Sequence, residues 1–325
     1  GQILQEGISE AGALASWINV GTSYASQHCP MMPFFIYYSM FGFQRVGDLI
    51  WQGADARARG FLLGATGGRT TLNGEGLQHQ DGHSLLMALT NPAVVAWDPA
   101  FAYELAYIIE HGIRQMWGED KDVIHYITLY NENHSMPEAP KDPNFKEGLL
   151  KGLYKCVDAE PGKHTVRLVG SGSIMQQVLN AIPLLAEYGV SAEVWSATNI
   201  GELHRDAVRC DRHARLNPKS PPIKPWVSQC LGDGGVTVAC TDNQIAYPQL
   251  IQPYVGGDYV VLGTDGFGRS DTRPKLRRFF EVDSEHVCVA ALSALARQGK
   301  ISPDVAADAI TKFGITPTRT DVCAW

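Results

Sequence analysis

Four short apolar and aromatic runs, FFIYY from Phe34, FLLGAT from Phe61, AVVAW from Ala93 and VIHYITLY from Val123, recur in the first part of the chain, with segments of helical character between them. Each run is apolar at consecutive positions rather than at every second one, which is the pattern of a strand buried on both faces. Such strands need helices on both sides, so the alternation predicts a mostly parallel sheet inside a three-layer α/β/α unit. The clearest helix is predicted to start at Asp98-Pro99, a cap followed by proline at the first helical position, with Phe101, Leu105, Ile108 and Ile109 on one face.

The proline-rich, charged stretch HSMPEAPKDPNF, residues 134–145, has the composition of a surface linker and places a domain boundary near residue 140. Beyond it the scheme repeats. TVRLVG from Thr165 reads as a strand, a helix is expected from about Ser173 to Tyr188 with Gly189 as its stop, and AEVWSA, PWVSQC, VTVACT and DYVVLG are further strand candidates. Two helices should close the chain, one from Asp283-Ser284 ending before Gly299, the other from Ser302-Pro303 ending before Gly314. The expected fold class is α/β, with two three-layer domains of mostly parallel sheet over residues 1–140 and 141–325.

At 325 residues, 45% hydrophobic and 19% charged, the chain can bury a core in each domain. A formal charge of −7 and a pI near 5.8 leave no basic footprint apart from KLRR at residues 275–278, so no nucleic-acid partner is expected. No apolar run approaches the ~20 residues that span a bilayer, and no leader pattern opens the chain. A soluble, cytoplasmic protein without a membrane partner is the expectation. Cys29, Cys156, Cys210, Cys230, Cys240, Cys288 and Cys323 are dispersed without a CxxC pair and read as reduced thiols.

Several motifs carry candidate chemistry. GSGS at residues 170–173 follows a strand and precedes a helix, which fits an anion-binding turn but better a tight turn with a serine cap. GDGG at 232–235 reads as a turn. RTTLNGEGLQHQDGHS, residues 69–84, is too polar and glycine-rich for a helix or strand, and its His79 and His83 fit a catalytic loop better than a zinc pair, because no helix would align them. In FFIYYSMFGFQR, Phe34, Phe35 and Ile36 read as core, whereas Tyr38 and Phe41 fall at the strand end where α/β folds bind ligands. Near the start, GISEAG sets the carboxylate of Glu10 among Ile8 and small residues.

Together GISEAG, FFIYYSMFGFQR, GRTTLNGEGLQHQDGHS, the NEN at residues 131–133 and LGTDGFGRSDTR at 262–273 resemble the C-terminal part of the homodimeric bacterial type of pyruvate dehydrogenase, the decarboxylating first component of a multienzyme complex. The resemblance covers essentially the whole chain. It implies a thiamine diphosphate pyrimidine-binding domain up to about residue 140, with its N-terminal part missing, and a transketolase C-terminal-like domain beyond. By residue, it implies that Glu10 hydrogen-bonds the cofactor's aminopyrimidine, that Phe41 stacks on that ring and that Ile8 supports the bent cofactor. Tyr38 and His79 would face the substrate, with His83 a secondary candidate. Apolar burial would raise the Glu10 pKa and keep a proton available for exchange.

The same resemblance implies that magnesium and the diphosphate are bound by an N-terminal region of the same protein that this chain does not supply. The chain is therefore expected to be part of a longer polypeptide, inactive alone, completed in a homodimer and passing its product to a lipoyl-bearing acetyltransferase second component. Gln80 stands where an acid is expected, and HSMP replaces a more aromatic run after Asn133. No catalytic residue is expected in the C-terminal domain, where DGFGRSD reads as a structural turn. The alternatives are a transketolase-like ketol transfer, disfavoured for want of a phosphate-binding cluster, and a non-catalytic dimerisation or assembly piece.

Overall fold

β1 (Phe34–Tyr37), β2 (Gly60–Ala65), β3 (Val94–Trp97) and β4 (Ile124–Leu129) form an all-parallel sheet in the order β1-β2-β4-β3. The structure, a computed structural model, describes residues 2–318 and 321–323. Leu62, Ile124 and Tyr126 share one face and pack on helices Glu10–Gly21 and Phe43–Asp55 through Leu14, Trp17, Val46 and Ile50. Phe61, Leu63, Trp97 and Ile127 occupy the other face, against Ile108 of helix Ala102–Ile113 and Leu149 of helix Phe145–Lys151.

Two expectations for this half need correction. Phe34 and Ile36 are not core residues: they are 45% and 63% exposed, because β1 is an edge strand and its alternation turns these two side chains away from the packed face while Tyr37 turns in. The helix predicted at Asp98-Pro99 starts at Ala102 instead. Glu104 folds back to accept the amides of Ala100 and Phe101 at 2.5 and 3.2 Å, which frees Asp98 for contacts elsewhere.

The second sheet contains β5 (Tyr154–Val157), β6 (His164–Gly170), β7 (Val190–Ser196), β8 (Val236–Cys240) and β9 (Asp258–Leu262) in the order β5-β7-β6-β8-β9. Only β5 runs antiparallel to its neighbour. Val166, Leu168 and Val238 pack on helices Met175–Ala186 and Ser284–Arg297, and Val169 and Ala239 pack towards helices Ile200–Leu216 and Trp226–Leu231. The capped terminal helices form as expected, over Ser284–Arg297 and Pro303–Lys312, and the GDGG stretch is a turn with Gly234 and Gly235 at positive φ. PWVSQC, expected as a strand, is the helix Trp226–Leu231. Its Val227 and Leu231 are four apart and both buried, and the Asp206 carboxylate accepts the Trp226 amide at 2.8 Å, satisfying one of the donors that a helix start leaves open.

The halves do not have wholly separate cores. Leu85 and Ala88 of helix Ser84–Leu89 belong to the same apolar cluster as Ile200, Leu203 and Ala207 across the junction. Among the described residues no helix is long and apolar enough to cross a membrane, and all seven cysteines are unpaired.

Candidate active site

The chain leaves β1 at Tyr38, makes the single turn Ser39–Phe41 and enters helix Phe43–Asp55. That tight reversal brings the rings of Tyr38 and Phe41 to 6.0 Å between centroids. His79, at the end of the turn Leu77–His79, lies 5.2 Å from the Tyr38 ring and 5.5 Å from the Phe41 ring. Arg45, four residues after Phe41, sets its guanidinium carbon 4.0 Å from the centroid of the Phe41 ring and donates from Nη1 to Oε1 of Glu10 at 3.2 Å. A helix start, a strand end, a turn and a loop thus deliver Glu10, Tyr38, Phe41 and His79 to one place. Arg45, which joins Glu10 to Phe41, went unremarked in the sequence, because Phe41 lies in the turn before the helix and no helical spacing links the two.

Glu10 begins its helix, but Ser9 caps it by accepting the Gly12 amide at 3.2 Å. The Glu10 side chain is 16% exposed and paired with Arg45. The apolar environment expected around it is not built by its sequence neighbours: residues 2–9 are exposed, and Ile8 projects fully into solvent without reaching the cluster. Tyr38 is half-exposed, so the aromatic group opens to the surface.

His79 and His83 do not converge. The His79 Nδ1 lies 3.3 Å from the Glu75 carboxylate, whereas His83 meets Gln44 Oε1 through Nε2 at 2.6 Å and donates its backbone amide to Asp81 at 3.0 Å. Among the described residues no group of three His, Cys, Asp or Glu side chains is placed to hold a metal. His83 instead lines an adjoining cleft of about 440 Å³ with Met40, Gln44, Gln78, Gln244 and Phe267. Asp81 is buried and accepts the Ser39 hydroxyl and the amides of His83 and Ser84, and Ser39 is also 2.9 Å from the Tyr126 hydroxyl. These bonds fix the end of the loop to the turn that carries Phe41.

The rest of the loop is gripped by the second half of the chain. Arg69 donates to the carbonyls of Thr264, at 2.6 Å, and Gly266; Arg273 Nε donates to Thr71 O at 2.7 Å; Arg277 pairs with Glu132. Gln80, beside His79, is wholly buried, accepting the Arg269 amide at 2.6 Å and donating to Leu72 O at 3.1 Å. The residue that departs from the expected acid therefore sits in the junction and not among the rings. Asp242 accepts the Thr70 amide and hydroxyl at 3.0 Å each and the Ser173 hydroxyl at 3.1 Å. Asp98 accepts Ser171 and Thr128 at 2.6 Å, and Tyr130. GSGS is accordingly a turn whose serines face two buried carboxylates, an arrangement that repels an anion.

Burial pushes the Asp242 carboxyl up to about 6, with the Arg277 cation and the Thr70 hydrogen bonds opposing the rise. In the unfolded chain the same group titrates near 3.8, so above pH 6 folding must hold a charge that it would rather release. That penalty, of order 1–3 kcal/mol, fades as pH falls through 6 and is gone below the unfolded value. Urea unfolding at pH 5 and pH 7 should show the chain gaining stability on acidification relative to Asp242→Asn. An identical pH response in the variant would remove Asp242 as the source.

Residues 1–137 match the model of the pyruvate dehydrogenase E1 component middle domain, and residues 152–283 match the transketolase-like TK C-terminal domain. The pyruvate dehydrogenase E1 component of Pseudomonas aeruginosa is 52% identical over 323 residues, covering 98% of this chain and 36% of the relative. Over almost its whole length this chain is similar to pyruvate dehydrogenase E1 components. It spans about a third of the length of the curated relatives it matches. Among solved structures, a transketolase from Leishmania mexicana superposes with a TM-score of 0.66 at 17% identity over 90% of this chain and 37% of that one. A split gene transketolase, described as an inactive beta4 tetramer, gives 0.60 at 17% identity over 89% of this chain and 83% of that one. These two likenesses show the fold alone.

In this fold the cluster presents a carboxylate, an aromatic face and an imidazole at one open surface. Oε1 of Glu10 is taken by Arg45, while among the described residues Oε2 accepts no hydrogen bond. The His79 Nδ1 is buried without a well-aligned partner. A flat nitrogen heterocycle could stack on Phe41 and hydrogen-bond Glu10, with His79 and Tyr38 beside its reactive end.

Proposed function

We propose that this chain is the pyrimidine-side portion of a thiamine diphosphate-dependent pyruvate dehydrogenase, the first component of the pyruvate dehydrogenase complex, which decarboxylates pyruvate and acetylates a lipoyl carrier. The observation that carries the proposal is the gathering of Tyr38, His79 and Arg45 around the Phe41 ring, with Glu10 joined to it through Arg45. When bound, thiamine diphosphate supplies a nucleophilic thiazolium carbon and an electron sink for decarboxylation. Glu10 holds a ring nitrogen of the aminopyrimidine through its carboxylate and exchanges a proton with it; Phe41 supplies the stacking face. Tyr38 and His79 orient the pyruvate carboxylate and carbonyl by hydrogen bonding, and Ile8, exposed here, awaits the rest of the protein as an apolar support.

The diphosphate and Mg²⁺ belong, in this reading, to the N-terminal region of the same protein, and a homodimer completes each site. The lipoyl-bearing acetyltransferase is the downstream partner, and the cytoplasm the place of action. The test is to supply the chain with its N-terminal region, thiamine diphosphate and Mg²⁺, and assay pyruvate decarboxylation beside ketol transfer from a sugar phosphate. Turnover of pyruvate alone is expected. Preference for the sugar phosphate would move the reading to a ketol transferase, and assembly without either activity would leave a structural piece.

A further inference from the structure

Arg45 already holds the two groups that would grip the aminopyrimidine. Its guanidinium carbon lies over the Phe41 ring, 4.0 Å from the centroid, and its Nη1 donates to Oε1 of Glu10 at 3.2 Å. A guanidinium is flat, with N–H donors at its rim, and a heterocycle held by the same ring and the same carboxylate needs the same two contacts. Arg45 thus already occupies one face of Phe41 and Oε1 of Glu10, the kinds of contact that such a heterocycle would take. Arg45 is also free to leave: its side chain is 51% exposed and Glu10 is its one ion-pair partner among the described residues. The helix that carries it departs from helical geometry at the next residue, Val46, with φ −126° and ψ 24°, so the turn bearing Arg45 is set off from the rest.

We propose that Arg45 is a displaceable latch, an internal stand-in that keeps Glu10 and Phe41 together in the cofactor-free protein and swings into solvent when the aminopyrimidine enters. The inference rests on the assignment of Glu10 and Phe41 to the thiamine diphosphate site. Its consequence is an exchange: cofactor entry breaks an exposed cation–π contact and an exposed ion pair, which together lower the apparent affinity by about 3- to 30-fold.

Calorimetric titration of Mg²⁺-thiamine diphosphate into the full-length enzyme, without substrate, tests the latch. Arg45→Ala should bind about 3- to 30-fold more tightly than the wild type, and its cofactor-free form should melt at a similar temperature. Arg45→Lys, which keeps the ion pair and loses the flat stack, should fall between them. Equal or weaker binding by Arg45→Ala, with the wild type binding normally, overturns the latch and leaves the cofactor site standing. Failure of both wild type and Arg45→Ala to bind overturns the site assignment, and the latch with it. A second readout needs no affinity: the Arg45 side-chain NH resonance should carry an upfield ring-current shift from Phe41 that disappears on cofactor addition, and persistence of that shift in the loaded enzyme would also sink the proposal.

Discussion

Glu10→Gln in the full-length enzyme is expected to lower kcat for pyruvate decarboxylation by about 10²- to 10⁴-fold while leaving the melting temperature of the cofactor-free protein nearly unchanged. The amide keeps the size and a hydrogen-bonding oxygen but does not ionise, so it cannot pass a proton to and from a ring nitrogen. Stability should not follow, because Ser9 rather than Glu10 caps the helix and the one hydrogen bond of Glu10 goes to the half-exposed Arg45. An exposed ion pair of that kind contributes less than about 1 kcal/mol. Parallel steady-state kinetics and thermal melts decide the matter. A fall in stability that accounts for the lost activity would make Glu10 a structural residue, and the proposed cofactor contact would go with it.

Glu104→Leu should instead cost about 3–5 kcal/mol of folding free energy. Glu104 is wholly inaccessible, and its carboxylate accepts four donors: the amides of Ala100 and Phe101, and the hydroxyls of Tyr154 and Ser196 at 2.6 Å each. The last two lie on β5 and β7, so one side chain of the first half secures the start of its own helix and two strands of the second sheet. Burial pushes this carboxyl's pKa upward, and the hydrogen bonds from Ser196 and Tyr154 hold it down. Leucine fits the volume but leaves the Ala100 and Phe101 amides and the Ser196 hydroxyl without this acceptor, and Tyr154 with only the Tyr103 hydroxyl. Urea unfolding should show the loss; Glu104→Gln should lose less, because its carbonyl still accepts while its NH₂ meets donors. A change below about 1 kcal/mol for the leucine variant would mean that water or rearrangement satisfies the site.

The sequence made most of the strands legible because their runs are apolar at successive positions. β5 escaped notice because YKCV is short and sets Lys155 outward, and PWVSQC misled because a short apolar run fits a strand and a buried helix equally well. The aromatic and histidine cluster could be located through motifs that each carry their residues within a few positions, as FFIYYSMFGFQR does for Tyr38 and Phe41. The junction could not. Asp98 meets Ser171 across 73 positions and Thr70 meets Asp242 across 172, separations at which local pattern carries no information. Arg45 was illegible for the same reason, since its reach to Glu10 spans 35 positions.

The junction gives the peptide between the two sheets a particular status. Leu85 and Leu203 share one apolar cluster, and Arg69, Gln80 and Arg273 cross the boundary beside it, so the loop bearing His79 is moulded as much by residues 262–277 as by its own neighbours. The stretch at residues 135–144, mostly exposed, contributes less to that joining than these crossing contacts do. What holds the two halves in register is the surface they share, so the shape of the loop bearing His79 depends on both of them at once.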